Sequence, residues 1–275
     1  MKKPLRRGTA IDNPRMTRWV SLFSNYRDTV LQLQIDNWLR QFKGRDRDLA
    51  ARILDSVEFI TDRQVRSSFH SLLDSLPRWN RSNTARRGKW RFVAFSKSAG
   101  ESGDTMIHIF RQANNLNEDK YNDLFIYKRD LLQEKLGPKD TVVFVDDFAG
   151  SGKQACETWL EEFPELLPGN PHKYLILVAT NIYARKKIEE QTGLEVVTHR
   201  ELTEHDNIFS SKCKHFSLAE RRVLLEYCKI ADAKRPKGFG DCGFLITFSH
   251  NCPNNSISIL HARNPRWYGL FGIYD

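Results

Sequence analysis

A chain of 275 residues, 40% of them hydrophobic, can hold one large domain or a medium domain with a helical appendage. No apolar run approaches the roughly 18 residues of a membrane span, and no apolar stretch follows the basic N-terminus as in a secretory signal, so a cytoplasmic protein without a membrane partner is expected. Cys156, Cys213, Cys228, Cys242 and Cys252 are an odd number without CxxC spacing, which disfavours a disulfide framework and a familiar zinc site and leaves reduced thiols as the expectation.

The net charge is +9, and it is local. Lys2, Lys3, Arg6 and Arg7 form one basic segment, and Arg78, Arg81, Arg86, Arg87, Lys89 and Arg91 form a second, with no acid inside either; the rest of the chain sums to −1. Such segments suit a polyanion, and equally suit a basic tail and a solvated loop.

Residues 17–76 read as helices. Leu31, Ile35, Trp38, Leu39 and Phe42 form one apolar stripe, Leu49, Ile53, Val57 and Ile60 a second, and Val65, Phe69, Leu72 and Leu73 a third. Thr61 with Gln64 fits a capping box opening the third helix. Residues 91–96 read as a strand, 97–103 (KSAGESG) as a small-residue loop, and 104–114 as a helix. A short strand is expected near 124–127, then strands at 141–145, 174–180 and 194–198 alternating with helices after Gly152 and over 182–191, the pattern of a parallel α/β sheet. Ser217 with Glu220 caps a further helix to about Ala231. A turn-rich stretch 238–243 leads to a strand at 244–249, and 251–255 forms another turn. The expected division is 1–80, a basic tail with a helical bundle, and 81–275, an α/β domain.

Residues 143–153, VFVDDFAGSGK, are the most informative stretch. An apolar strand ends in Asp146 and Asp147, and a Gly-Ser-Gly turn precedes a helix, so backbone amides, the Ser151 hydroxyl and the helix N-terminus can converge on an anion. A Walker A loop is disfavoured, because Asp147 stands at its first glycine and Gln154 at its Ser or Thr. The spacing GxGxxG is absent, which disfavours a dinucleotide fold. A purely structural role, the two acids capping the next helix, is the bland alternative. No GxSxG elbow or HExxH helix appears, and the pairs Cys213 with His215 and His250 with Cys252 lack the usual zinc spacing.

The stretch resembles the phosphoribosyl-diphosphate loop of type I phosphoribosyltransferases: four apolar residues, 142–145, then Asp146 and Asp147, three variable residues, Ser151, Gly152, Lys153 and, where that family usually has Thr, Gln154. The resemblance implies that Asp146 and Asp147 act in catalysis and engage the ribose hydroxyls, directly or through Mg2+. It implies that Phe148, Ala149, Gly150, Ser151, Gly152 and Lys153 cradle the 5-phosphate, and that Lys97, Ser98, Gly100, Ser102 and Gly103 lie in the loop that takes the diphosphate. An ordinary strand-to-helix turn is the alternative for the latter. Gly150 stands where catalytic members often carry Asp or Thr, and glycine has no acid-base chemistry.

WLRQF at 38–42, the VDDFAGSGK loop, GFGDCG at 238–243, CPNNS at 252–256 and RWYGLF at 266–271 together resemble the phosphoribosyltransferase-like proteins of bacterial conflict and phage-defence loci, termed PRTase-CE. That resemblance implies a type I phosphoribosyltransferase fold with a C-terminal hood. It also implies an effector or toxin of anti-phage defence beside a reverse transcriptase, as in a retron, or a nucleotide-signalling partner. The ligand would be phosphoribosyl diphosphate or a nucleotide, attacked at the anomeric carbon. Asp241, Asn254, Asn255, Trp267 and Tyr268 could line the hood, or shape turns and close the core. The alternative function is a degenerate nucleotide sensor that docks nucleic acid or a ribonucleoprotein through the basic segments; an oligomer is left open.

Overall fold

Apolar stripes and β-branched runs place most elements where the sequence puts them, and the computed structural model describes residues 13–24, 26, 31–97 and 102–272. In chain order these are α1 (Asn13–Leu22), α2 (Leu31–Arg40), α3 (Arg47–Ser56), β1 (Glu58–Ile60), α4 (Asp62–Ser75), β2 (Trp90–Ala94), α5 (Ser102–Ala113), β3 (Thr141–Ala149), α6 (Lys153–Glu162), β4 (His172–Asn181) and α7 (Ile182–Thr192). They continue with β5 (Glu195–Leu202), α8 (Leu218–Ala231), β6 (Ile246–Phe248), α9 (Ser258–His261), β7 (Arg263–Asn264) and β8 (Trp267–Tyr268). No helix among the described residues is long and apolar enough to cross a membrane.

The chain divides into two compact units, residues 1–62 with 205–275, and residues 63–204. This does not coincide with the division expected at residues 80 and 81. The first helical stripe is real, but its partners are distant in sequence: Ile35 and Trp38, with Trp19 and Leu54, share one core with Leu224, Cys252, Leu260, Trp267 and Phe271. Amphipathic spacing reports that a helix has a buried face and not what covers it.

In the first unit, β1 pairs in parallel with β6, Glu58 opposite Ile246 and Ile60 opposite Phe248. The stripe Leu49, Ile53, Val57, Ile60 is therefore divided. Helix α3 stops at Ser56, Val57 turns extended, and Ile60 enters a strand, because pairing with β6 overrides helical spacing. The capping box at Ser217 and Glu220 forms as expected, with the Ser217 N–H donating to Glu220 Oε2 at 2.7 Å and the Glu220 N–H donating to Ser217 Oγ at 3.3 Å. The 238–243 and 252–256 motifs bind each other: the Phe239 N–H donates to the Asn254 carbonyl at 2.7 Å, and the Asn255 side chain donates to the Phe239 carbonyl at 2.9 Å. Trp267 is buried and donates to the Ile259 carbonyl at 3.1 Å, so it closes the core, whereas Tyr268 is exposed.

The second unit is built on the parallel sheet β2-β3-β4-β5. Its strands are near-continuous apolar runs; Val142, Val143, Phe144 and Val145 are each 0% exposed. That is expected of a parallel sheet covered on both faces. Beneath it, Phe144 packs on Trp159 and Phe163 of the α6 region. Two strands run longer than the apolar pattern implies. β3 continues past Val145 to Ala149, which lies opposite Thr180, and β5 continues to Leu202 opposite Asn181. Polar residues are admitted to these ends because ladder hydrogen bonds satisfy the backbone irrespective of side chain. The strand expected near 124–127 is instead a 3-10 turn, Asp119–Leu124, followed by a single bridge from Phe125 to Phe92.

Candidate ligand site at the ends of β2 and β3

Chemistry-bearing residues gather where β2 and β3 end and α5 and α6 begin, the edge of a parallel α/β sheet at which ligands bind. Asp146 is half-buried and Asp147 is 7% exposed, and both belong to β3 rather than to a turn. The Ser102 hydroxyl, in the first turn of α5, donates to Asp146 Oδ1 at 2.7 Å. The same oxygen accepts the Asp147 N–H at 2.9 Å, which turns the carboxylate back along the strand toward its neighbour. Burial and the adjacent Asp147 carboxylate push the Asp146 pKa well above the usual aspartate value, while Ser102 and the Asp147 amide pull against that rise. Two carboxyl groups in one dry place are a charge that wants a cation or a set of hydroxyl donors.

Ser102 is held there by Gly103. A Cβ at Gly103 would lie 2.7 Å from the Phe95 carbonyl oxygen, so only glycine lets α5 approach the end of β2 this closely. Both residues were expected in the diphosphate loop, and the structure puts Ser102 against the acid pair. Ser98 and Gly100 lie outside the described residues. Lys97 lies past the end of β2, is exposed, and forms an ion pair with Glu161 near the C-terminal end of α6.

Phe148 and Ala149, expected in the phosphate loop, are the last residues of β3. Their pairing with Ala179 and Thr180, and the Thr180 hydroxyl donating to the Ala149 carbonyl at 2.8 Å, commit this backbone to the sheet. The loop proper is Gly150, Ser151 and Gly152. Gly152 has φ +69°, and a Cβ there would lie 3.0 Å from the Ala184 carbonyl oxygen. Conformation and crowding together require glycine. The N-cap Gly152 has no side chain to cap α6 and the first turn carries no acid, so the helix dipole and the leading amides beyond Lys153 are available to an anion. Ser151 Oγ accepts the Lys153 N–H at 3.4 Å, and Lys153 Nζ lies 3.7 Å from Glu157 along the helix. The acids do not cap α6; its N-cap is Gly152.

The PRTase-CE family profile matches residues 35–272. The chain belongs to the PRTase-CE family. No curated protein matches it. The match takes in both units of this PRTase-CE chain, from α2 to the last core aromatic, Phe271.

Among the described residues of the PRTase-CE chain, no group of three or more His, Cys, Asp or Glu could hold a metal ion. Asp146 and Asp147 therefore offer no dedicated cage, but two carboxylates suit magnesium, which commonly keeps its waters and shares oxygens with a bound phosphate. Cys213 and Cys252 are buried free thiols, and burial pushes Cys252 up to about 12.

One contributor in this PRTase-CE chain escaped sequence reading. Lys128 Nζ donates to the carbonyls of Ser96 at 3.2 Å and Lys97 at 2.9 Å and pairs with Glu162 at 2.9 Å, tying the end of β2 to α6. No motif surrounds it, so nothing in the sequence marks it. The second basic segment is also only partly a free surface. Arg91 pairs with Glu134 at 2.6 Å, both half-buried, and the Arg86 guanidinium lies 5.3 Å over the Trp79 ring, where burial lowers its pKa. Arg87 and Lys89 stay exposed. Lys2, Lys3, Arg6 and Arg7 lie outside the described residues.

Proposed function

We propose that this protein binds phosphoribosyl diphosphate or a nucleotide at the β2 and β3 edge and makes or breaks a bond at the anomeric ribose carbon, as a cytoplasmic effector of bacterial anti-phage defence. The observation that carries the reading is the acid pair Asp146 and Asp147, braced by Ser102, next to the uncapped N-terminus of α6. Ribose hydroxyls would donate to the two carboxylates, and the amides around Gly150, Ser151 and Gly152 would hold the 5-phosphate. Negative charge beside the ribose favours the oxocarbenium-like transition state of C1 substitution. Magnesium, held by Asp146 and Asp147 with the ligand's own oxygens, would neutralise the diphosphate leaving group. The family membership supports a phosphoribosyltransferase-like protein; the ligand, the defence role and any reverse-transcriptase partner belong to this proposal.

The test is calorimetric titration of phosphoribosyl diphosphate with magnesium into wild type and Asp146→Asn/Asp147→Asn. Binding lost in the double variant is expected, and equal binding would remove the assignment. Metabolite profiling of cells expressing each chain then reads turnover as the loss of phosphoribosyl diphosphate or a nucleotide.

A second reading is favoured by Gly150, which supplies no acid or base. A site that binds without turnover would make the protein a nucleotide sensor, docking nucleic acid or a ribonucleoprotein through Arg87 and Lys89. Ligand binding without any metabolite loss in the same two experiments would select it.

A further inference from the structure

A cleft of about 970 Å³ opens in the first unit between the end of α8 with residues 232–235 and the turn joining α9, β7 and β8. Its rim carries Lys229, Lys234, Arg235, Arg263 and Arg266 against the single carboxylate of Asp232. That carboxylate is already engaged, accepting the N–H groups of Lys234 at 2.8 Å and Arg235 at 3.1 Å. Lys229 pairs with Glu226, but no carboxylate pairs with Lys234, Arg235, Arg263 or Arg266 among the described residues. Elsewhere on this chain basic side chains commonly find acids, as Arg15, Arg52, Lys128 and Arg185 do. Here, among the described residues, four have no carboxylate partner around one concavity.

The arrangement is also pre-ordered. The Arg235 guanidinium lies 4.9 Å over the Phe239 ring and that of Arg263 lies 4.4 Å over Tyr268, whose hydroxyl accepts from Arg263 Nη2 at 2.6 Å. Stacking on a ring face holds a guanidinium plane while leaving donor edges for an anion. The two walls are pinned to each other, because the Asn264 side chain donates to the carbonyls of Ile230 at 3.0 Å and Ala231 at 2.7 Å. Those bonds satisfy carbonyls at the end of α8 that would otherwise repel an anion.

We propose that this cleft is a second ligand site, taking a small molecule with several phosphate charges, held by Lys234, Arg235, Arg263 and Arg266. Its volume suits a ligand of nucleotide size, and the side chains match polyphosphate rather than a single carboxylate. The site shares no residue with the acid pair, so it stands or falls separately from the reading given above.

The experiment titrates inorganic tripolyphosphate and ATP into the full-length chain by calorimetry at fixed salt, in an Asp146→Asn/Asp147→Asn background that removes the other site. Saturable binding of both probes is expected there, weakened at least tenfold by Arg235→Ala/Arg263→Ala, with unchanged circular dichroism showing that the variant folds. Absence of saturable binding, or equal binding in the arginine variant, overturns the proposal. So does a single-stranded RNA that binds the cleft more than tenfold more tightly than either probe with a steep salt dependence, since the occupant would then be nucleic acid. Should Arg235→Ala/Arg263→Ala fail to fold, the milder Arg235→Lys/Arg263→Lys variant is used; it keeps the charge, removes the forked donors, and is expected to lose a smaller but measurable part of the affinity.

Discussion

Ser102 and Asp146 are joined by a hydrogen bond of 2.7 Å that bridges the start of α5 and the end of β3. It couples the small-residue loop to the acid pair, two motifs separated by more than forty positions in the chain. The serine makes the charged form of Asp146 less unfavourable. Ser102→Ala is therefore expected to weaken magnesium-dependent binding of phosphoribosyl diphosphate by about tenfold, the loss of one hydrogen bond to a charged group. Calorimetry against wild type checks it, and an unchanged affinity would confine Ser102 to helix packing.

Asp146 should trade stability for function. Its folded pKa is raised, so the folded chain holds a proton at pH values where the unfolded chain has released it, and stability falls as pH rises from the ordinary aspartate range through the raised folded value. Asp146→Asn removes that loss. Its Tm is expected to exceed that of wild type at pH 8 and to equal it near pH 3, in scanning calorimetry without ligand. A lower Tm at pH 8 would mean that the carboxylate has a compensating partner.

Gly152→Ala and Gly103→Ala should be damaging for different reasons. At Gly152 the cost is left-handed backbone together with contact against Ala184, and at Gly103 it is the approach of α5 to the Phe95 carbonyl. Each is expected to destabilise by about 1–3 kcal/mol. Chemical denaturation measures this. Gly152→Ala should also reduce phosphate binding in the folded fraction, because it reshapes the loop directly.

The second basic segment separates into half-buried and exposed cations. Arg91→Ala would strand the half-buried Glu134 and is expected to cost about 1–2 kcal/mol. Arg87→Ala/Lys89→Ala should leave Tm unchanged, both residues being exposed. Retention of single-stranded RNA across a salt series by this variant and by wild type tests the docking reading; identical retention would argue against it.

Much of the second unit was legible because local signals agree with the fold. The strand–loop–helix at 141–162 announces itself through its apolar run, its glycines and the amphipathic helix that follows. What remained hidden was set by neighbours. Ile60 has helical spacing and is a strand residue because β6 lies beside it. Lys97 in the loop after β2 reaches Glu161, and Lys128 acts through backbone carbonyls that no motif records.

By itself the sequence determined the parallel α/β class, the acid pair before a Gly-Ser-Gly turn, and the family. These are written in residue type and spacing over short stretches. Only the tertiary structure decided that the N-terminal helices share a core with the C-terminal segment, that β3 runs through both acids to Ala149, that Ser102 reaches Asp146, and that basic side chains of the first unit gather around one cleft. Each of those depends on which distant backbone comes close. Contacts between residues far apart in the chain are selected by packing and by satisfaction of buried polar groups, which no local pattern encodes.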